Sequence, residues 1–458
     1  MDYSKFIESK KKTVIDSGFD CEPSNKYLFE FQKAIVKWAL KKGNSALFLD
    51  TGLGKTLCQL SWSYEVSKYT GGKILIVAPL AVSKQTKREG EKFGIDVNIC
   101  RTQSDVIDGI NITNYEMLEH FIPSEFVGVV LDESSIIKSF TGKTTTLLIE
   151  MFKYTPYKLA CTATPSPNDY TEIGTHAEFL CVMSRVEMLA TYFINDMGDT
   201  AKWRLKGHAE TEFFKWLATW GILISNPKDI GFDENGYDLP PLNIEHIIIE
   251  SDVDEGALMV DVAQTLTERR QARKESLIAR ADKAKRIVEN IDNCLIWCDY
   301  NNESEHLKSI IPQAVEVKGS DKPEHKENSA IEFAAGNIDF LISKPSIFGY
   351  GLNFQKCHNM VFVGLSDSYE QFYQAIRRCW RFGQSKEVNV YVIISEKEMA
   401  TLRNIQRKEA DHKELKSKMI ALISDILKCE LKNTTRNVKE YTPEIMIIIP
   451  DWVRKETK

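Results

Sequence analysis

At Asp50–Thr56 the chain reads DTGLGKT, between a short apolar run, ALFLD, and a stretch able to form a helix, LCQLSWSYEVSKY. A strand, a glycine turn and a helix N-terminus make an anion site. Gly52 and Gly54 let the backbone turn tightly and aim N–H groups at phosphate oxygens, with Thr51 and Leu53 completing the loop. Lys55 is placed to reach the β- and γ-phosphates, and the Thr56 hydroxyl to ligate magnesium. The strict pattern has a glycine where Leu49 stands, and the string alone also fits a plain turn. The flanks favour the phosphate site.

Two carboxylates downstream fit the same chemistry. VGVVLDESS, Val127–Ser135, is an apolar strand ending in Asp132 and Glu133. Such a strand end places one acid near the metal and the next near the attacking water. Asp132 would hold magnesium through its shell, and Glu133 would act as general base or orient the water. An exposed Asp-Glu at a strand end is common in other contexts, and the upstream loop gives this pair its meaning.

Far downstream, QAIRRCWRFGQ (Gln374–Gln384) places Arg378 and Arg381 in a run that reads as helical. Guanidinium groups stabilise charge on transferring phosphoryl oxygens. Read alone, Arg377, Arg378 and Arg381 would be a solvated basic face. With the aromatic approach SYEQFY and the Gly-Gln behind, they read as arginines that meet a nucleotide held by the first motif. The nucleotide would then sit between two domains, and hydrolysis would require their closure.

At 458 residues, two to four domains are expected, and 43% hydrophobic content suffices for real cores. The net charge of −6 confines any nucleic-acid binding to local patches. Ten cysteines without a CxxC pair suggest a reducing cytosol. Cys294 and Cys298 read as core packing. No apolar run approaches ~18 residues, so no membrane span is expected, and MDYSKFIESKKK lacks a signal-peptide apolar region.

Along the chain, strand candidates alternate with helix-like segments: ALFLD, KILIVAPL, VNICR, GINITNY, VGVVLDE and YKLACTAT. A mixed, aromatic-rich stretch of helical spacing follows, from about 178 to 241. A long charged helix is expected from about 255 to 290. Then comes a second alternating set: CLIWCDY, AVEVKG, DFLISKP, NMVFVG and VNVYVIIS. A long polar helix is expected from Glu396. The expected fold is α/β: two tandem parallel-sheet domains with a helical region between them. Residues 1–245 would form the first lobe, including a helical protrusion at about 178–238. Residues 246–430 would form the second lobe, and 431–458 a tail.

The chain resembles superfamily 2 helicase-type ATPases of the Swi/Snf group, closest to the short forms carried by bacteriophages and mobile elements. The resemblance spans nearly the whole chain, with the motifs in order. It implies that Gln32 in LFEFQ reads adenine. Pro79 in VAPLAVSKQTKREGEKF, Asn114 in ITNYEML and Thr162 in CTATPSPNDYTEIG would face nucleic acid. LPPLNIEHIII would be the hinge into the second lobe. In SKPSIFGYGLNFQ, Ser343 and Gly349 would touch nucleic acid, and Gly351 and Asn353 the nucleotide. The family's arginine fingers fall on Arg378 and Arg381. DESS replaces the commoner DEAH-like box but keeps both acids. LISNPKDI lacks the paired arginines of the family hinge. VKGSDKPEHKENSAIEF offers Lys322, His325 and Lys326 where the family often has an arginine.

WRLKGHAETEFFKWLATW holds an aromatic face, Phe213, Trp216, Leu217 and Trp220, that reads as core. Before it, Trp203, Arg204 and Lys206 fit either a DNA-facing protrusion or a packing corner. The resemblance implies ATP and Mg2+ as cofactors, and sequence-independent movement along double-stranded DNA by a monomer. A targeting or replication partner would aim this minimal motor, in a bacterial or phage-infected host cytoplasm. Two other readings stand beside it: a strand-separating DNA or RNA helicase, and a nucleotide-gated binding scaffold without turnover. Lys55, Asp132, Glu133, Arg378 and Arg381 are all present, which argues against the scaffold.

Overall fold

The computed structural model of the protein describes residues 16–79, 82–166, 169–196, 199–233, 237–250, 265–348 and 353–431. Its strands are β1 (Asn44–Leu49), β2 (Lys73–Ala78), β3 (Asn98–Ile99), β4 (Ile110–Asn114), β5 (Phe126–Asp132), β6 (Tyr157–Cys161), β7 (Phe193–Asp196), β8 (Asp199–Leu205), β9 (Gly221–Ile224), β10 (Leu242–Ile249), β11 (Cys294–Trp297), β12 (Val315–Glu316), β13 (Phe340–Ser343), β14 (Asn359–Val363) and β15 (Val388–Ser395).

Two parallel sheets result. The first runs β3-β4-β2-β5-β6-β1-β9 and the second β10-β15-β14-β11-β13-β12. Every pairing within them is parallel. Strands of such sheets are covered by helices on both faces, so they read as continuous apolar runs. Ala46 to Leu49 of β1 and Ile74 to Ala78 of β2 are all buried. The two tandem α/β domains expected from the alternation are present, in the RecA-like form that the resemblance implies.

The stretch between them differs from the expectation of a helical region. It does hold the helices Arg185–Tyr192 and Glu210–Ala218. It also holds the antiparallel hairpin β7–β8 and strand β9, which completes the edge of the first sheet beside β1. LISNPKDI therefore starts as a strand and ends as a short 3-10 turn, Pro227–Ile230. The second sheet opens with β10, paired along its whole length with β15, Leu242 facing Val388 and Ile249 facing Ser395. The long charged helix is two helices, Leu266–Glu275 and Leu277–Val288. Residues 255–264 of that expectation, and 432–458 of the tail, lie outside the described residues.

The helix Met399–Leu431 belongs to both lobes. Leu402 and Ile405 sit in the second lobe's core. Met419, Ile423 and Leu427 are buried in the first lobe's core, and Ser424 Oγ donates to the Asp229 carbonyl at 2.5 Å. Sparse apolar positions thus bridge two cores from a helix whose remaining surface carries i,i+4 ion pairs such as Arg407–Asp411 and Lys418–Glu414.

Candidate nucleotide cleft

The phosphate loop leaves β1 and enters the helix Lys55–Thr70. Gly52 and Gly54 both have positive φ, 97° and 79°, a conformation that glycine adopts without a Cβ clash. Space matters as much as torsion. A Cβ on Gly54 would lie 2.2 Å from Gln32 Nε2, and one on Gly52 would lie 3.0 Å from the Phe382 backbone nitrogen. Gln32 is buried, and its amide donates to the Leu53 carbonyl at 3.0 Å. Lys55 Nζ donates to the Leu49 carbonyl at 3.1 Å, folded over the loop it would serve. Thr51 and Thr56 are half-buried at the loop's mouth.

Asp132 ends β5, with β6 between it and β1. Its carboxyl is buried; burial, then the neighbouring Glu133 carboxylate, raise its pKa against the pull of Lys55. Tyr115 Oη donates to the Asp132 carbonyl at 2.7 Å and fixes the strand end. Glu133 has φ 52°, in the left-handed region that a non-glycine residue enters only at a cost of about 1–2 kcal/mol. That turn lifts its carboxylate toward Thr162, whose Oγ1 donates to Glu133 Oε2 at 3.5 Å. Thr162 was expected on the nucleic-acid side, but it is fully buried beside the acid. Its hydroxyl also accepts the Thr164 N–H at 3.1 Å.

Sequence reasoning passed over His176. It lies fully buried on the helix Ile173–Phe179, with Nε2 3.1 Å from Ser134 Oγ, directly after Glu133. Its sequence signal is weak, a single histidine in the short helix IGTHAEF. Burial lowers its pKa to about 4. The ring is neutral in the fold but takes a proton in the unfolded chain below its ordinary value of about 6.5. Stability is therefore full above that value and falls by up to about 3 kcal/mol as pH drops toward 4. Urea midpoints measured at pH 7.5 and pH 5 should show the loss, and His176→Gln should make that pH dependence shallower, leaving the share of His412, whose pKa burial also lowers to about 4. An unchanged slope in the variant would mean that His176 does not carry it.

From the second lobe, the helix Tyr369–Ile376 and the turn after it reach across to the loop. Arg377 is in contact there: it pairs with Asp50 at 2.9 Å and donates to the Thr51 carbonyl at 2.8 Å. Tyr373 Oη donates to Asp50 Oδ1 at 2.6 Å. Arg378 is buried, with Nε donating back to the Gln374 carbonyl at 3.1 Å. Burial lowers the Arg381 pKa, with Glu89 of the first lobe the acidic charge it feels. Gln384 holds the segment's shape by donating to the carbonyls of Gln355, Cys357 and Cys379. Lys138 and Glu370 form a further ion pair between the lobes.

The remaining expected residues are scattered more widely. Pro79 and Asn114 are half-buried at the carboxyl ends of β2 and β4. Ser343 is buried at the end of β13, donating to the Val317 carbonyl at 3.2 Å. Asn353 is exposed and bonds to Gln355. Gly349 and Gly351 lie outside the described residues. In the hairpin, Trp203 packs on the first lobe's core and Arg204 is exposed. Lys206 Nζ donates to the Ala190 and Thr191 carbonyls at 3.2 and 3.1 Å. Phe213, Trp216, Leu217 and Trp220 are all buried, as their spacing implies.

Residues 279–383 match the family model of the helicase conserved C-terminal domain. The second lobe is thus helicase-like, and the match ends at the Gly-Gln turn that follows the three arginines. Among solved structures, the Sulfolobus solfataricus SWI2/SNF2 ATPase core in complex with dsDNA is similar at 17% identity. That similarity covers 90% of this chain and 99% of that one, with a TM-score of 0.43. No curated protein matches the chain. No helix among the described residues is long and apolar enough to cross a membrane.

Proposed function

We propose that the chain is an ATP-dependent translocase that hydrolyses ATP between its lobes to move along duplex DNA. The observation that carries this reading is the contact of the arginine segment with the phosphate loop, Arg377 on Asp50 and on the Thr51 carbonyl. Chemistry at the loop then depends on the position of the other lobe. The helicase-like second lobe and the order of the motifs support the same reading.

Lys55 leaves the Leu49 carbonyl to hold the β- and γ-phosphates, while Gly52 and Gly54 present backbone N–H groups. Thr56 and Asp132 would hold magnesium. The fit is chemical: Asp132 is buried beside the Glu133 carboxylate and is offset by Lys55 only in part, so added positive charge is favoured there. The metal would neutralise charge on the phosphate oxygens. Glu133 orients water and accepts its proton, and Thr162 beside it links that acid to the turn that follows β6. Arg378 and Arg381 stabilise the transferring oxygens when the lobes close. Gln32 and Asn353 frame the nucleotide. Pro79, Asn114 and the exposed Arg204 serve the DNA track, whose contacts are with phosphates and carry no sequence preference, while the buried Ser343 supports that face from beneath. The motor works as a monomer in the cytoplasm, aimed by a targeting partner.

Steady-state hydrolysis measured with no nucleic acid, single-stranded DNA, duplex DNA and duplex RNA tests the assignment. Duplex DNA should stimulate most, and DNA binding should weaken on the order of 10- to 100-fold between 50 and 200 mM salt if a few phosphates are contacted. Stimulation by single strands or RNA alone would move the protein to the strand-separating helicases. Hydrolysis under none of these conditions would defeat the ATPase reading.

A further inference from the structure

The long helix Met399–Leu431 sends a charged side chain into the cleft. Lys416 Nζ donates to Asp50 Oδ2 at 2.7 Å, and only 16% of its side chain is exposed. Asp50 already receives Arg377 and Tyr373 on its other oxygen, and that oxygen also accepts the Thr51 N–H at 2.7 Å. One carboxylate at the start of the phosphate loop therefore gathers the loop, the arginine helix and the long helix. Burial alone would raise the Asp50 carboxyl; Lys416 and then Arg377 outweigh it and hold it well below the usual carboxylate range. One turn before Lys416, His412 lies against the rings of Tyr369 and Tyr373, with centroids 5.5 and 5.8 Å away.

Docking of the helix does not account for this lysine. Leu402 and Ile405 anchor it in one lobe, and Met419, Ile423 and Leu427 anchor it in the other. A buried ion pair adds little to such anchoring, because apolar replacement of a buried pair is often neutral or stabilising. What the cation does add is geometry. It fixes which way Asp50 faces, and Asp50 in turn fixes Arg377, one residue before Arg378.

We propose that Lys416 is a positioning residue of the ATPase: through Asp50 it holds the phosphate loop and the arginine helix in one register. This rests on the ATPase reading above. The long helix is then part of the hydrolytic machinery and not only a strap between lobes. Its docking on the first lobe, more than 350 residues downstream of the loop in sequence, sets the geometry of the cleft.

The test compares Lys416→Met, Lys416→Arg, Asp50→Asn and the double variant Asp50→Asn/Lys416→Met in the full chain. The readouts are kcat and KM for ATP at saturating DNA, and amide hydrogen exchange. Lys416→Met should lower kcat about tenfold with KM within about twofold, and Lys416→Arg should recover most of the loss. In the Asp50→Asn background, Lys416→Met should cost less than about twofold more, since both act through one node. Exchange should rise in residues 50–56 and 369–376 while the melting temperature stays near that of the parent. A wild-type kcat in Lys416→Met, a loss that arginine does not rescue, or full additivity with Asp50→Asn would overturn the proposal. If the parent hydrolyses no ATP, the functional reading fails separately. The node then stands if exchange rises in those two segments of Lys416→Met and falls if it does not.

Discussion

Glu133→Gln should leave ATP binding intact and lower kcat about 10³-fold, the range expected when a positioned base is lost. Glutamine keeps the side chain's shape and can still accept from Thr162, so the left-handed turn at this position has no new reason to relax. What it loses is the capacity to take a proton. The strain itself favours a role for the residue. A β5 strand could end in an ordinary turn, yet Glu133 is one of two described non-glycine residues with positive φ, and it stands beside the buried Asp132. The measurement is steady-state turnover alongside equilibrium binding of a fluorescent ATP analogue. Normal turnover in the variant would show that another group accepts the proton. Weakened binding with unchanged turnover would place Glu133 among the binding residues instead.

Much of this cleft was legible because its parts are local. A phosphate loop needs its strand, glycines and helix in sequence, and β1, Gly52, Gly54 and the helix Lys55–Thr70 follow that order. The acids of β5 were legible for the same reason, since a strand end fixes where its last residues point. The arginine segment was legible as a segment but not residue by residue. Helical spacing cannot say which of Arg377, Arg378 and Arg381 faces the first lobe, because that depends on the angle at which two domains meet. Arg377, which lies outside the finger pair Arg378 and Arg381 that the resemblance implies, is bonded to the loop.

The hairpin and the long helix show a second limit. β9 is only four residues long and owes its place to β1, a partner far away in sequence. The long helix reads as polar because its buried positions are few and wide apart. Met419, Ile423 and Leu427 lie on one face, but nothing local says that the face belongs to the first lobe. Lys416 on such a helix looks like one more solvated charge until Asp50 is seen beside it.

Glu303→Gln should destabilise the second lobe by about 3 kcal/mol, the low end of the cost of breaking a buried pair, because Asp299 still pairs with Arg273 at 2.7 Å and Glu398 lies within 3.8 Å of both arginines. Glu303 is 1% exposed and accepts from two guanidiniums. Arg273 Nη2 reaches it at 3.0 and 3.1 Å, and Arg280 Nη2 at 3.0 Å. It also accepts the Asp299 and Tyr300 N–H groups at 2.9 and 3.1 Å, which closes the turn after β11. The two arginines continue to the end of β14, where both donate to the Val363 carbonyl and Arg273 also donates to that of Leu365. Gly364, at φ 99°, leaves room for them: a Cβ there would lie 2.4 Å from Arg273 Nη2. The knot therefore ties the helices Leu266–Glu275 and Leu277–Val288 to the carboxyl ends of two neighbouring strands of the second sheet. Glutamine cannot balance two buried cations, and its amide hydrogens would face guanidinium donors. Because the two lobes need not unfold together, the loss should appear as an earlier transition of the second lobe in urea, not as a uniform shift. A midpoint within about 1 kcal/mol of the parent would show that water or Glu398, 3.7 Å from Arg273 Nε, takes over the charge. The knot would then be a consequence of how these helices pack and not a condition for it.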